Sequence, residues 1–233
     1  WQWWPNPPWL FYPAIVLTLA SYAAARVLNV RYPAPPTNPV VTAVPPVIGV
    51  LLLCEIDYPA YLRGASLISA LPPPAPVAPP LPLYRHRATL RRYAASALAG
   101  LAAGALSAMA AAVLLAQWLA LGATLHPALA IKSVTAPIAV QLGPLVAAEP
   151  GLCAVFAIAT GMTGAVLGPW VLDALAIRDP VARGLAYGTI SHGIGTAQAA
   201  AEGALQGAVS GVAMGCAAVI VSLLPPRLLP WLV

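Results

Sequence analysis

The fold class this sequence predicts is all-α: a polytopic transmembrane helical bundle of about six to eight spans with two broken or re-entrant segments. Three observations predict it. Of 233 residues, 61% are hydrophobic and 7% charged, against roughly 45–50% and roughly 25% in an ordinary soluble domain. Eleven Lys/Arg and six Asp/Glu cannot coat a water-facing surface of this size, whereas a bilayer-facing surface needs almost none. The 27 prolines and 18 glycines fall in clusters that interrupt the apolar runs. Disorder is excluded because it needs low hydrophobicity, and the glycines follow no G-X-Y period. The length leaves little room outside the membrane, so residues 1–233 read as a single integral membrane domain, multi-pass, with no enzyme attached.

The elements follow in chain order. The opening WQWWPNPPWLFY packs aromatic residues as an interfacial belt does. A span over about residues 9–25 follows, closed by Arg26 and Arg31, and RYPAPPTNP is a turn. A second apolar stretch, 40–54, is interrupted by Pro45 and Pro46; a third, 64–83, carries SALPPPAPVAPPLPL and cannot be one regular helix, since each interior proline deletes a backbone bond. The cluster Arg85, Arg87, Arg91 and Arg92 reads as an orientation signal, with an anionic substrate or lipid funnel as the alternative. The net charge of +5 has the same meaning and does not point to nucleic acid. Residues 93–121 form a long Ala/Gly-rich helix whose Gly100, Gly104 and Ser107 suggest a close-packing face.

From about Gly122 the character changes. In HPALAIKSVTAPIAVQLGP a lone Lys132 stands with Ser133 and Thr135 in apolar surroundings, and Pro137 breaks the helix. A charge at bilayer depth is costly and usually faces a cavity or a partner; a lysine snorkelling from a span end is the alternative. Residues 123–146 either cross or re-enter. A helix over 152–175 contains GMTGAVLGPW, read as small-residue packing. In AIRDPVARG, Arg178 and Asp179 are candidate helix caps and Arg183 a topological anchor. The stretch 187–203 places Ser191, His192, Thr196 and Gln198 among glycines, the composition of an unwound or re-entrant segment lining a site. A final span covers 209–224.

Catalytic and metal constellations are not found in this pattern. Ser191 and His192 are sequence neighbours whose side chains diverge, and His86, His126 and His192 lack metal-ligand spacing. No cofactor is expected. The cysteines, Cys54, Cys153 and Cys216, sit in apolar runs and read as free thiols. What remains is a pair of helix-breaking segments at about 70–82 and 187–203, similarly placed in the two halves, which is the pattern of a secondary-transporter site. Half-helix N-termini suit an anionic head group. The proposed binding set is Lys132 and His192 for charge, with Ser133, Thr135, Ser191, Thr196 and Gln198 for hydrogen bonds.

The runs KSVTAPIA, TGMTGAVLGPW, IRDPVARGLAYGT and SHGIGTAQA resemble the signature blocks of the LrgB/CidB family. Gln198 stands where that family usually has arginine. The resemblance implies a bacterial inner (plasma) membrane protein and offers two functions. One is a transporter or facilitator of small monocarboxylates of the glycolate, glycerate or pyruvate kind, after the plastid glycolate/glycerate translocators and the bacterial members linked to pyruvate uptake. The alternative is an antiholin-like regulator of murein hydrolase export and lysis. It also implies, as partners, a small carboxylate substrate, an LrgA/CidA-type small membrane protein and the lipid bilayer, with homo-oligomerisation.

Overall fold

The computed structural model describes residues 11–69, 87–225 and 227. The aromatic opening, the Pro-rich stretch 70–82 and Arg85 lie outside the described residues. Every regular element among the described residues is helical. The chain divides into two compact units, residues 1–78 and 79–233.

In the first unit, α1 (Phe11–Arg31) runs past Arg26 and ends on Arg31, where a cation suits the helix dipole. Asn38 Oδ1 accepts from Val40 N at 3.0 Å and starts the short α2 (Pro39–Thr42). The next helix, α3 (Val44–Leu53), carries Pro45 and Pro46 in its first turn. Their missing N–H groups cost nothing there, so these prolines open α3 directly after the break at Ala43 that interrupts the 40–54 stretch. The chain turns at Glu55, with φ 51°, into α4 (Tyr58–Gly64) and α5 (Ser66–Ser69). The pair Pro39–Leu53 and Tyr58–Gly64 is bent by 119°. Thr18 Oγ1 and Tyr61 OH share a hydrogen bond of 2.7 Å that ties α4 to α1.

The second unit opens on α6 (Arg87–Trp118), 32 residues without a proline and rich in alanine, the strongest helix former. Its packed face is Leu101, Ala105, Met109 and Val113, all buried, at the four-residue spacing of one helix stripe. Gly104 touches Thr189, but around Gly100 nothing lies within 4 Å of an added Cβ; the close-packing face expected over Gly100, Gly104 and Ser107 is therefore realised at Gly104 alone.

Residues 126–146 form α7 (His126–Ala130), a turn, α8 (Ala136–Leu142) and a single 3-10 turn, Gly143–Val146. Pro137 sits in the first turn of α8, so it starts that helix instead of breaking one. The 3-10 turn lies against α7, so the segment folds back on itself. Glu149 then caps α9 (Pro150–Ala174), its carboxylate accepting from Gly151 N at 2.8 Å and Leu152 N at 2.6 Å. Asp179 caps α10 (Pro180–Glu202) by accepting from Ala182 N at 2.8 Å, as its sequence position suggested. Last comes α11 (Ala204–Leu223).

Helix α10 is two arms and not one rod. His192 has φ 41° and ψ −131°, which is not helical. Arg183 Nε nevertheless donates to Glu202 Oε2 at 2.7 Å, across 19 residues of sequence. In a straight helix those residues would stand about 28 Å apart, beyond the reach of both side chains. Residues 180–191 and 193–202 therefore lie antiparallel, turning at His192. The 187–203 stretch, expected to be unwound or re-entrant, remains helical and turns back at one residue.

Four described helices are long and apolar enough to cross a membrane: Tyr12–Arg31, Arg91–Trp118, Pro150–Ala174 and Ala204–Leu223, or five if the bent pair counts as one span. The expected number was about six to eight. Part of the difference has a physical cause within the described residues, where segments 126–146 and 180–202 fold back as short helices; the expected span 64–83 lies mostly outside them.

Candidate functional site

The site forms where the two fold-backs meet α9. That helix carries Gly161, Gly164 and Gly168 toward α10. A Cβ on Gly161 would lie 2.7 Å from His192 Cε1, one on Gly164 would collide with Ser191 Oγ, and one on Gly168 would lie 2.5 Å from Tyr187 Cε1. Each glycine thus makes room for one side chain of the hairpin, and the pairing runs antiparallel. On the other side, Cβ atoms on Gly184 and Gly188 would meet the backbone oxygens of Gln206 and Ser210, so the first arm is pressed equally closely onto α11. The second arm returns along α11, where Thr196 Oγ1 and Ser210 Oγ share a 2.9 Å hydrogen bond.

The reversal at His192 is held from two sides. Its backbone is in a region that costs about 1–3 kcal/mol for a residue with a Cβ. The buried ring donates through Nε2 to the Ala157 carbonyl of α9 at 2.8 Å, and Thr196 Oγ1 donates to the His192 carbonyl at 2.7 Å. Gly195 lets the arms close, since a Cβ there would lie 2.9 Å from Tyr187 O.

Across the far end of the hairpin runs an ionic network. Arg183 Nη1 donates to Asp173 Oδ1 at 2.6 Å and to Ile177 O at 3.0 Å, its Nε holds Glu202, and Tyr187 OH donates to Glu202 Oε1 at 2.6 Å. The Arg183 and Glu202 side chains are 11% and 16% exposed, that of Asp173 70%. Arg183, read from sequence as a topological anchor, is thus an internal clamp between the arms.

Between the tip of residues 126–146, the hairpin and α9 lies a cavity of about 560 Å³, within the usual size range of small-molecule sites. Lys132, Thr160, Thr163, Tyr187 and Ser191 supply its polar wall, and Phe156, Leu167 and Ile190 part of the apolar one. Lys132 has no ion-pair partner among the described residues. A lysine amine, hydroxyls and a phenol in an otherwise apolar space suit a small anion with hydrogen-bonding oxygens.

Compared with known proteins, the chain matches the LrgB-like family over residues 18–231. This chain belongs to the LrgB family. Proteins similar to this LrgB-family chain include the uncharacterized protein YwbG of Bacillus subtilis, 34% identical over 186 residues, covering 80% of this chain and 83% of the relative. YxaC of the same organism is 32% identical over 185 residues, covering 79% and 80%. The holin-like protein CidB of Staphylococcus aureus is 30% identical over 215 residues, covering 92% and 94%. No solved structure matches.

In this LrgB-family chain, two of the residues singled out from sequence share the cavity: Lys132 and Ser191. Ser133 is buried beside Lys132 without lining the cavity, and Thr135 is the N-cap residue of α8 with no side-chain cap bond. His192 faces Ala157, Thr196 faces Ser210, and Gln198 is half-buried on the second arm outside the cavity. Thr160, Thr163 and Tyr187 were missed. The threonines sit in TGMTG, read only as packing, although hydroxyls three residues apart share one helix face. Tyr187 carried no signal of its own, because its place depends on how the first arm packs against Gly168 of α9.

Proposed function

We infer that the protein is a holin-like membrane regulator. It resides in the bacterial inner membrane as one LrgB-type domain, assembles with a small LrgA/CidA-type membrane protein and with copies of itself, and governs murein hydrolase export and lysis. The observation that carries this reading is the likeness to CidB proteins named holin-like over 92% of the chain. The test is deletion and overexpression in the native host, scored by murein hydrolase activity in the medium and by lysis. Altered lysis that requires the small partner supports the reading; unchanged lysis together with failure to co-purify that partner refutes it.

A second reading, transport of small monocarboxylates of the glycolate, glycerate or pyruvate kind, is favoured by the cavity and by Lys132 standing in it without a partner. There the ammonium would meet the carboxylate, and Thr160, Thr163 and Ser191 the remaining oxygens. The 180–202 hairpin would enter and leave the bilayer on one side, as re-entrant transporter segments do. Uptake of labelled pyruvate and glycolate into proteoliposomes tests this. Saturable uptake in wild type that falls at least tenfold in Lys132→Ala supports it; uptake equal in both proteins rejects the site, and none in wild type rejects transport of these substrates.

A further inference from the structure

A second cavity, unrelated to the first, lies between α6, the first arm of α10 and α11. It measures about 290 Å³, and its walls are apolar side chains such as Leu98, Leu101, Leu185, Val209 and Cys216, with Arg91 at one end. We propose that this groove holds one acyl chain of an anionic phospholipid, with the phosphodiester on Arg91.

Three observations agree on that occupant. Arg91 is the first residue of the candidate span Arg91–Trp118, the level at which headgroups meet hydrocarbon. From Arg91 to Leu101 the helix rises about 15 Å, the depth of one leaflet in a hydrocarbon core of about 30 Å. Arg91 is exposed and has no ion-pair partner among the described residues, and no carboxylate lines the groove. Beside it, the Arg92 guanidinium lies 5.9 Å from the centre of the Tyr93 ring, an arrangement that keeps a second cation and an amphipathic ring at the same level. An apolar slot the length of one leaflet, ending in an unneutralised cation, complements a lipid with net negative charge better than a zwitterionic one. A single basic side chain near such a headgroup gives a preference of about fivefold.

The test uses the full-length protein, purified in detergent containing equal amounts of phosphatidylglycerol and phosphatidylcholine and read by native mass spectrometry. The expected result is one retained lipid, with phosphatidylglycerol favoured about fivefold. Arg91→Gln, a change at an exposed position, should abolish the preference while a lipid is still retained. Ala97→Phe, which fills the groove, should remove the retained lipid of either class. Equal retention of both lipids by wild type, a preference that survives Arg91→Gln, or retention undiminished in Ala97→Phe would each overturn the assignment.

Discussion

Replacing Gly164 by alanine should destabilise the protein, although alanine is the better helix former by about 1 kcal/mol. The added methyl would collide with Ser191 Oγ and stand 2.7 Å from Ser191 Cβ. Rotating the serine frees its hydroxyl but not its Cβ, and the backbone behind it is pinned by the adjacent His192 bond to Ala157 and by the contact of the first arm with α11. Overpacking of this kind reaches about 3 kcal/mol, leaving a net loss of about 2 kcal/mol after the gain in helix preference. For a chain of this length that is roughly 4–8 °C in Tm. Gly100→Ala is the matched control, because nothing lies within 4 Å of a Cβ there; it should raise Tm by roughly 1–4 °C through helix preference alone. Both are measurable by thermal unfolding in detergent with a thiol-reactive dye, in a Cys54→Ser/Cys216→Ser background that removes the two accessible thiols. Cys153 is fully buried and reports opening. Gly164→Ala melting at or above wild type, or the two variants shifting in the same direction, would show that the glycine stripe does not set the approach of α9 to the hairpin.

The same melting assay separates the carboxylates on Arg183. Glu202→Ala, which strips the shielded partner and leaves Arg183 Nε and Tyr187 OH without one while Asp173 and Ile177 O still hold Nη1, should cost about 3 kcal/mol; Asp173→Ala, removing a solvent-exposed partner, about 0–1 kcal/mol. Equal losses would mean that the arms are not clamped by the inner pair. At His192 the usual helix order should reverse, with His192→Gly melting higher than His192→Ala. Both lose the bond to Ala157, and only glycine occupies φ 41° without strain. Alanine melting higher would argue against the reversal at that residue.

Much of the architecture is legible in the sequence because proline and glycine mark helix ends by local rules. Asp179 caps a helix where its position suggests, and Lys132 stands out because a lone charge in an apolar run needs a cavity or a partner. Where local reading misjudged the chain, position within a turn decided the matter. Pro137 looks like a breaker only until it is known that it occupies a first turn. The hairpin at His192 is illegible for another reason. Nothing in the histidine demands a positive φ; that conformation is imposed by contacts with α9, by Gly195 and by a pair of ions 19 residues apart. Tyr187, Thr160 and Thr163 become wall residues only where the first arm packs against α9.

The fold-back at His192 also governs the bookkeeping of sides. A straight helix hands the chain from one face of a membrane to the other, whereas an element that returns to its starting level leaves the count of crossings unchanged. Residues 179 and 203 are brought to the same end of the bundle, so α9 arrives at, and α11 departs from, one face. A straightened 180–202 would invert the orientation of everything C-terminal to it, including the cation Arg227. The clamp between Arg183 and Glu202 therefore protects handedness in the bilayer as well as shape, and an Arg or Lys count over the loops predicts orientation correctly only if this segment is scored as zero crossings.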